Sequence, residues 1–391
     1  MRVLFMPAPA VGHVFPMVPL AWALRAAGHD VVFVTGGDGL QVAKAGLPAL
    51  DAMPGQSTMD LYQQFVHDHP DLFVPAEGNP VDELNVRKSR IVACWDPCVD
   101  GHVEMAERVA PDLIVYDPIF AIGALAAAKV GVPAVALGFT ICRYSPDMLR
   151  ELPAGAAFRR YELDVPDDIQ TIDLAPPSLA EDPPSPLAMR YVPYNGGAEL
   201  PDWVLEPAER PRVAVSFGSL EQAHGSGSLA RLAGASAEVD AEFVIGSGEP
   251  GRVPPAELPG NVKVVGWIPL NSLLPTCAAA IHHGGSGSAL TCCSFGVPQM
   301  ALPEGLTDAS AEAELLRVRG AAMVLDGDEL DAGALRKLLG DDGLRDAAGE
   351  LAAEMAALPS PAELVPRLAA IAERGRPAGR DVRVAAPAGA S

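Results

Sequence analysis

The sequence predicts an α/β protein built from two doubly wound parallel sheets. Short apolar, β-branched runs alternate with helix-length segments along the chain, the pattern of βαβ units with right-handed crossovers. The chain has 391 residues, too many for one ordinary core. A fresh series of strands then begins past residue 210, after a Pro- and Gly-rich stretch that looks like an interdomain crossing.

The elements follow in order. Residues 2–6 (Arg-Val-Leu-Phe-Met) read as a buried strand, 14–27 as a helix and 29–35 as the next strand, with Gly28 where a helix C-terminal glycine belongs. Residues 53–95 have weaker periodicity and scattered Pro, Asp and His, so irregular helices or loops over a cleft are expected. A second unit is clear at Pro111-Asp-Leu-Ile-Val-Tyr-Asp117, followed by an Ala-rich helix to Lys129 and a strand over 133–137. Residues 164–187 are rich in Pro and Asp, and the crossing is placed at Tyr194-Asn-Gly-Gly-Ala-Glu-Leu-Pro201. Strands of the second unit are expected at 212–217, 242–245, 262–265, 279–281 and 299–302, with a strand-like run at 322–325 and a last helix over about 362–374. This gives domains 1–200 and 201–375. The tail 376–391, polar and rich in Pro, Gly and Arg, is expected to be disordered. In such sheets ligands bind at the C-terminal ends of the strands, so two of them facing each other imply an interdomain cleft.

Composition excludes several classes. A net charge of −22 argues against nucleic acid or an anionic membrane as partner. The apolar start Met1-Arg-Val-Leu-Phe-Met6 has one positive charge and is soon broken by Pro7 and Pro9, unlike a signal peptide. No apolar run reaches bilayer length, so a cytoplasmic protein is expected. The six cysteines (Cys94, Cys98, Cys142, Cys277, Cys292, Cys293) lack paired metal-ligand spacing and are read as small apolar residues, with neither disulfide nor zinc.

The segment richest in chemistry is Ile281-His-His-Gly-Gly-Ser-Gly-Ser288. A strand runs into a glycine-rich turn and then a helix, which points several backbone N–H groups at one spot where the helix dipole also favours negative charge. That spot suits a phosphate, and a histidine at its rim suits a diphosphate. Such turns also occur simply where a chain must bend.

Taken with Gly296-Val-Pro-Gln299, Leu302-Pro-Glu304, Val265-Gly-Trp-Ile-Pro269, Ser216-Phe-Gly-Ser219, Gly12-His13 and Tyr191-Val-Pro-Tyr-Asn-Gly196, this segment resembles the GT-B fold glycosyltransferases. The likeness is to the actinobacterial natural-product branch of family 1, and it runs from Met1 to about Arg374. The resemblance implies two Rossmann-like domains, the N-terminal one binding the acceptor and the C-terminal one the nucleotide sugar. It implies that His283 contacts the donor diphosphate, with Gly285, Gly287, Ser288 and Ser219 as further contacts, and that Trp267 stacks on the base. His13 is implied as the base that deprotonates the acceptor, Asp117 as the acid that orients it, and Asp308 as a contact to the sugar. Without the motifs, Trp267 would equally suit core packing, His13 a loop and Asp117 a helix cap. The implied reaction is displacement at the anomeric carbon with inversion and needs no metal or other cofactor. A homodimer or an auxiliary activator protein, which some relatives of this branch need, stays open.

Two departures matter. Many relatives carry Asp-Gln where this chain has Asp308-Ala309, which removes a donor and an acceptor for sugar hydroxyls and points to a thymidine-diphosphate deoxysugar. Thr291 stands where plant relatives place a glutamate for the ribose. Trp95, Phe139 and Tyr144 are candidates to line a site for a hydrophobic acceptor. Asp326-Gly-Asp328 mimics a metal-binding signature but reads as a solvated turn. Gly246-Ser-Gly-Glu-Pro-Gly251 mimics a dinucleotide motif but leaves no room for its helix. Gly284-Gly-Ser-Gly-Ser288 lacks the final glycine of a nucleophile elbow. The competing readings are a sugar-nucleotide epimerase or hydrolase on the same fold, and a non-catalytic partner protein that retains it.

Overall fold

The structure is a computed structural model that describes residues 1–69, 92–142, 154–167, 169–179, 185–216, 227–246, 258–303 and 308–375. The expected tail 376–391 and the dinucleotide-like segment 247–251 lie outside the described residues.

The first sheet has seven parallel strands: β1 (Arg2–Met6), β2 (Asp30–Thr35), β3 (Ala49–Asp51), β4 (Leu113–Tyr116), β5 (Ala134–Gly138), β6 (Gln170–Asp173) and β7 (Leu187–Ala188). Their order is β3-β2-β1-β4-β5-β6-β7. The second has six: β8 (Arg212–Ser216), β9 (Glu242–Gly246), β10 (Val262–Val265), β11 (Ala279–His282), β12 (Gln299–Ala301) and β13 (Ala322–Val324), in the order β10-β9-β8-β11-β12-β13. In each sheet the direction of winding reverses once, between β1 and β4 and between β8 and β11. At such a switch point the loops leave toward opposite faces and open a crevice at the strand C-termini.

Strand periodicity explains the layering. Val3 and Phe5 of β1 enter one core cluster, while Leu4 and Met6 enter another on the opposite face. In the second sheet Val213 and Val215 face one cluster and Ala214 the other. The Val3 cluster continues through Leu290, Cys293, Leu351, Leu364 and Leu368, and so joins the two halves of the chain. The final helix Pro361–Arg374, started by a capping box of Ser360 and Glu363, packs back on the helix Val18–Ala26 of the first half.

Three elements depart from the sequence expectation. The helix expected over 14–27 is broken into a single turn Val11–Val14, a 3-10 turn Phe15–Met17 and the helix Val18–Ala26. Pro16 and Pro19 lack the N–H groups that a continuous ladder would use, and each sits in the first turn of a new segment. A regular helix Thr58–Asp68 stands within the stretch expected to be irregular, its start capped by Ser57 accepting from the Asp60 N–H at 3.3 Å. The short strands β6 and β7 extend the first sheet, with Ile172 beside Leu187, where the Pro/Asp-rich sequence showed no strand pattern.

The six cysteines are all free thiols. Asp326 and Glu329 form a capping box around the turn Gly327–Glu329, so this decoy is an exposed cap. Among the described residues no helix is long and apolar enough to cross a membrane.

Candidate functional site

Both groups of candidate residues lie at the two switch points. In the first sheet Met6 stands beside Tyr116, so the segments after β1 and β4 leave side by side. His13 is carried by the one-turn helix after β1, and Asp117 follows β4 directly. The His13 Nδ1 lies 2.5 Å from the Asp117 Oδ2, although 104 residues separate them in the chain. Asp117 is fully buried, and the His13 side chain keeps 25% of its surface. The other carboxylate oxygen accepts the Ile119 N–H at 2.9 Å, while the Ala8 N–H points at Oδ2 from 3.5 Å. One oxygen therefore holds the chain turn and the other holds the imidazole. A carboxylate only accepts, so in the neutral ring the proton lies on Nδ1 and the lone pair on Nε2. Phe139, almost fully buried, packs edge-on against the His13 ring at 4.7 Å and fixes its tilt.

In the second sheet His282 ends β11 beside Ser216 of β8. The two adjacent histidines have different tasks. His282 is buried and accepts the Gly284 N–H on Nδ1 at 3.0 Å, while its Nε2 donates to the Gln299 Oε1 at 2.7 Å. Gln299 in turn donates to the Cys293 Sγ at 3.4 Å. Burial, with a smaller contribution from the nearby His283, holds the His282 pKa down at about 4, so the ring is neutral and locks the turn from beneath. Gly284 has a φ of +89°, which favours glycine, and a Cβ there would also crowd Ala309 at 3.1 Å.

His283 is only partly buried. A Cβ on Gly285 would lie 2.3 Å from the His283 Nε2, which places this ring directly over the start of the helix Ser286–Phe295. Gly285 is the N-cap of that helix and offers no side-chain cap. The Ser288 and Ala289 N–H groups donate to the Gly285 carbonyl, and no side chain caps the amides that precede them, an arrangement suited to an anion. A Cβ on Gly287 would meet nothing within 4 Å, so this turn is reachable from outside. Thr291 is fully buried and donates to the Gly287 carbonyl at 2.5 Å, a task inside the helix.

The crossing segment ties the two sites together. The Tyr191 hydroxyl donates to the Gly287 carbonyl at 3.4 Å; burial pushes its pKa up to about 12, so it remains a donor. Tyr194 packs edge-on against Trp22 at 5.2 Å and, at 4.9 Å, against Phe15, which is two residues from His13 in sequence. Asn195 accepts the Trp267 Nε1–H on its carbonyl at 3.0 Å and the Asn271 N–H on its side chain at 2.9 Å. Trp267 is thus held by its edge, yet it remains 45% exposed. An indole fixed this way has a flat face to offer, and ordinary core packing does not describe it.

Ser219 and Tyr144 lie outside the described residues, as does the Asp308 side chain, although Asp308 begins the helix Asp308–Val318. Trp95 is buried and lines a small, mostly apolar hollow with Val99, Phe120, Ile122, Leu125 and Ala157, whose one charged wall is Asp96. Among the described residues no group of three or more His, Cys, Asp or Glu could hold a metal ion. Sequence reasoning missed the His282–Gln299–Cys293 chain, the Tyr191 and Asn195 contacts, and a buried glutamate, Glu312, that accepts from Ser286. No spacing rule links these pairs; they meet only where separate helices and strands converge.

Comparison with known proteins decides the family. The chain matches the model of the erythromycin biosynthesis protein CIII-like N-terminal domain over residues 22–218 and that of the C-terminal domain over residues 230–371. The chain belongs to this family. The elloramycin glycosyltransferase ElmGT of Streptomyces olivaceus is 38% identical over 383 residues, covering 94% of this chain and 97% of that one. Among solved structures, the glycosyltransferase SnogD of Streptomyces nogalater is 40% identical with a TM-score of 0.76, covering 95% of this chain and 99% of its own. SsfS6, a Streptomyces sp. SF2575 glycosyltransferase complexed with thymidine diphosphate, is 30% identical at the same TM-score, covering 95% and 99% of the two chains. The family member described here is accordingly a nucleotide-sugar-dependent glycosyltransferase of GT-B fold.

Proposed function

We propose that this glycosyltransferase moves a deoxysugar from thymidine diphosphate to a hydrophobic natural-product aglycone, with inversion. The observation that carries the mechanism is the His13–Asp117 pair at one switch point, set against an anion-type helix start with His283 at the other. As an acceptor hydroxyl attacks the anomeric carbon, its proton passes to the His13 Nε2. The oxygen–carbon bond forms while the bond from that carbon to the diphosphate breaks, and its electron pair leaves with the diphosphate. The buried Asp117 carboxylate stabilises the imidazolium that results. The amides at the start of Ser286–Phe295, with Ser288, Ser219 and His283, stabilise the charge on the leaving group. Trp267 offers its exposed face to the base, and Asp308 contacts the sugar.

Ala309 supports the deoxysugar. It sits against the glycine turn, where a glutamine would bring two more polar groups needing hydroxyl partners. The relative SsfS6 was solved with thymidine diphosphate, which supports the choice of nucleotide. No metal is assigned to the reaction; the helix start and His283 are the groups that offset the diphosphate charge in this reading. Activity that survives a chelator fits this reading, and activity lost on chelation and restored by a divalent cation defeats it.

The test is a thermal-shift series with TDP, UDP, ADP and NAD on the wild type and His283→Ala. At a ligand concentration of ~100 Kd the native state gains about 2.7 kcal/mol, an easily read shift. Stabilisation by TDP that weakens in the variant is the expected result. A shift with UDP alone overturns the deoxysugar, and one with NAD alone overturns the donor site. Turnover of a TDP-sugar with no acceptor present would favour the hydrolase or epimerase reading.

A further inference from the structure

Glu312 is fully buried, on the second turn of the helix Asp308–Val318, and no family motif quoted above includes it. Its Oε1 lies 3.0 Å from the Ser286 hydroxyl, which donates to it. Ser286 is the first residue of the helix whose N-terminus forms the donor site. A carboxylate with no exposure stands against the stretch of backbone expected to receive a diphosphate, and at a helix N-terminus its charge is stabilised by the same dipole.

We propose that Glu312 is a positioning residue of the donor site, acting through Ser286. A serine has one hydroxyl proton, and here it is committed to Glu312, so the Ser286 side chain cannot also donate to a phosphate oxygen. Its task is mechanical: the bond from Glu312 pins the first turn of the helix Ser286–Phe295, and with it the amides that face the diphosphate. The phosphate contacts then fall to those amides, Ser288 and His283. The negative charge of Glu312 works against the bound diphosphate, which also limits how tightly the product is held. This assignment rests on the donor-site reading given above.

The experiment measures the Kd for TDP calorimetrically, and the donor KM and kcat, for the wild type, Ser286→Ala, Glu312→Ala, the double variant and Glu312→Gln, with the melting temperature of each. Loss of a charged hydrogen bond at the turn should weaken TDP binding by about tenfold in Ser286→Ala and in Glu312→Ala alike. The double variant should be no worse than either, as for two residues acting as one unit. Glu312→Gln keeps an oxygen that can accept from Ser286 and lacks the charge, so it should bind TDP at least as tightly as the wild type. Lower melting temperatures with unchanged Kd, additive losses in the double variant, or a Glu312→Gln as weak as Glu312→Ala each overturn the proposal. A wild type that does not bind TDP would instead defeat the donor-site reading itself.

Discussion

The substitution Asp117→Asn isolates the task of one buried oxygen. The Asp117 Oδ1 accepts the Ile119 N–H, and an asparagine would keep its own oxygen there. Its NH₂ group must then occupy the place of Oδ2, facing the His13 Nδ1 and the Ala8 N–H. An N–H donor aimed at Nδ1 drives the imidazole proton to Nε2, the atom that should receive the acceptor proton. Two losses overlap. The charged bond to the imidazolium is worth about 1.5–3 kcal/mol, and tenfold in rate corresponds to about 1.36 kcal/mol, so this loss alone gives about 10- to 150-fold. Reversal of the tautomer removes the base itself, whose usual contribution is about 10²–10⁴. Because the terms share one event, kcat should fall by about 10³, with the donor KM within about twofold. The assay is product formation by chromatography at saturating donor and acceptor, with the melting temperature as a check on folding. Asp117→Ala, which leaves the tautomer free, should be less damaged in kcat than Asp117→Asn. His13→Ala should set the floor, and adding Asp117→Asn to it should cost nothing more. Asp117→Asn within threefold of the wild type, or fully additive with His13→Ala, would refute the mechanism.

Further expectations concern the donor turn and the core. Gly285 has an ordinary φ of −62°, so Gly285→Ala strains no backbone but must push the His283 ring away; TDP binding should weaken with little change in melting temperature. Equal TDP affinity in that variant would mean that His283 does not touch the diphosphate. Ala309→Gln should raise activity with fully hydroxylated hexose donors relative to deoxysugars, measured as a ratio of kcat/KM values, and an unchanged ratio would remove Ala309 from the sugar site. His102 and His282 are both held at about 4, chiefly by burial, against 6.5 when unfolded. Their neutral forms favour the fold fully above pH ~6.5. The unfolded state gains the proton first, so stability falls as pH drops from there to about 4, by on the order of 3 kcal/mol for each ring. Denaturant titrations at pH 7 and pH 5 should show this loss, with proton uptake on unfolding at pH 5; a flat profile would mean that these rings are charged in the fold.

Much of this was legible in the sequence because local physics left its mark there. The strands β1, β4, β8, β9 and β11 are largely buried on both faces, and such strands read as nearly unbroken apolar runs. Gly284, Gly285 and Gly287 declared a turn, since few other signals put three glycines across the end of a strand and the start of a helix. The last two strands, β6 and the edge strand β7, were silent because strands of four and two residues are too short to carry a period. The broken helix after β1 was written in Pro16 and Pro19 but masked by the apolar run around them. Which of two adjacent histidines is implied as the diphosphate contact followed from the motif; why His282 turns inward followed only from the structure, where Gln299 and the Gly284 amide claim both its nitrogens.

The sequence by itself determined the class of fold, the order of its elements and the chemical types placed at the strand ends. These depend on residues that are neighbours in the chain, within a turn of a helix or a few steps of a strand. The tertiary structure decided which of those types meet. His13 and Asp117 are 104 residues apart, Ser286 and Glu312 are 26 apart, and Asn195 and Trp267 are 72 apart. A hydrogen bond requires its atoms within about 3 Å at a set angle. Only the winding of the two sheets, and the crossing segment between them, brings such distant residues to that distance.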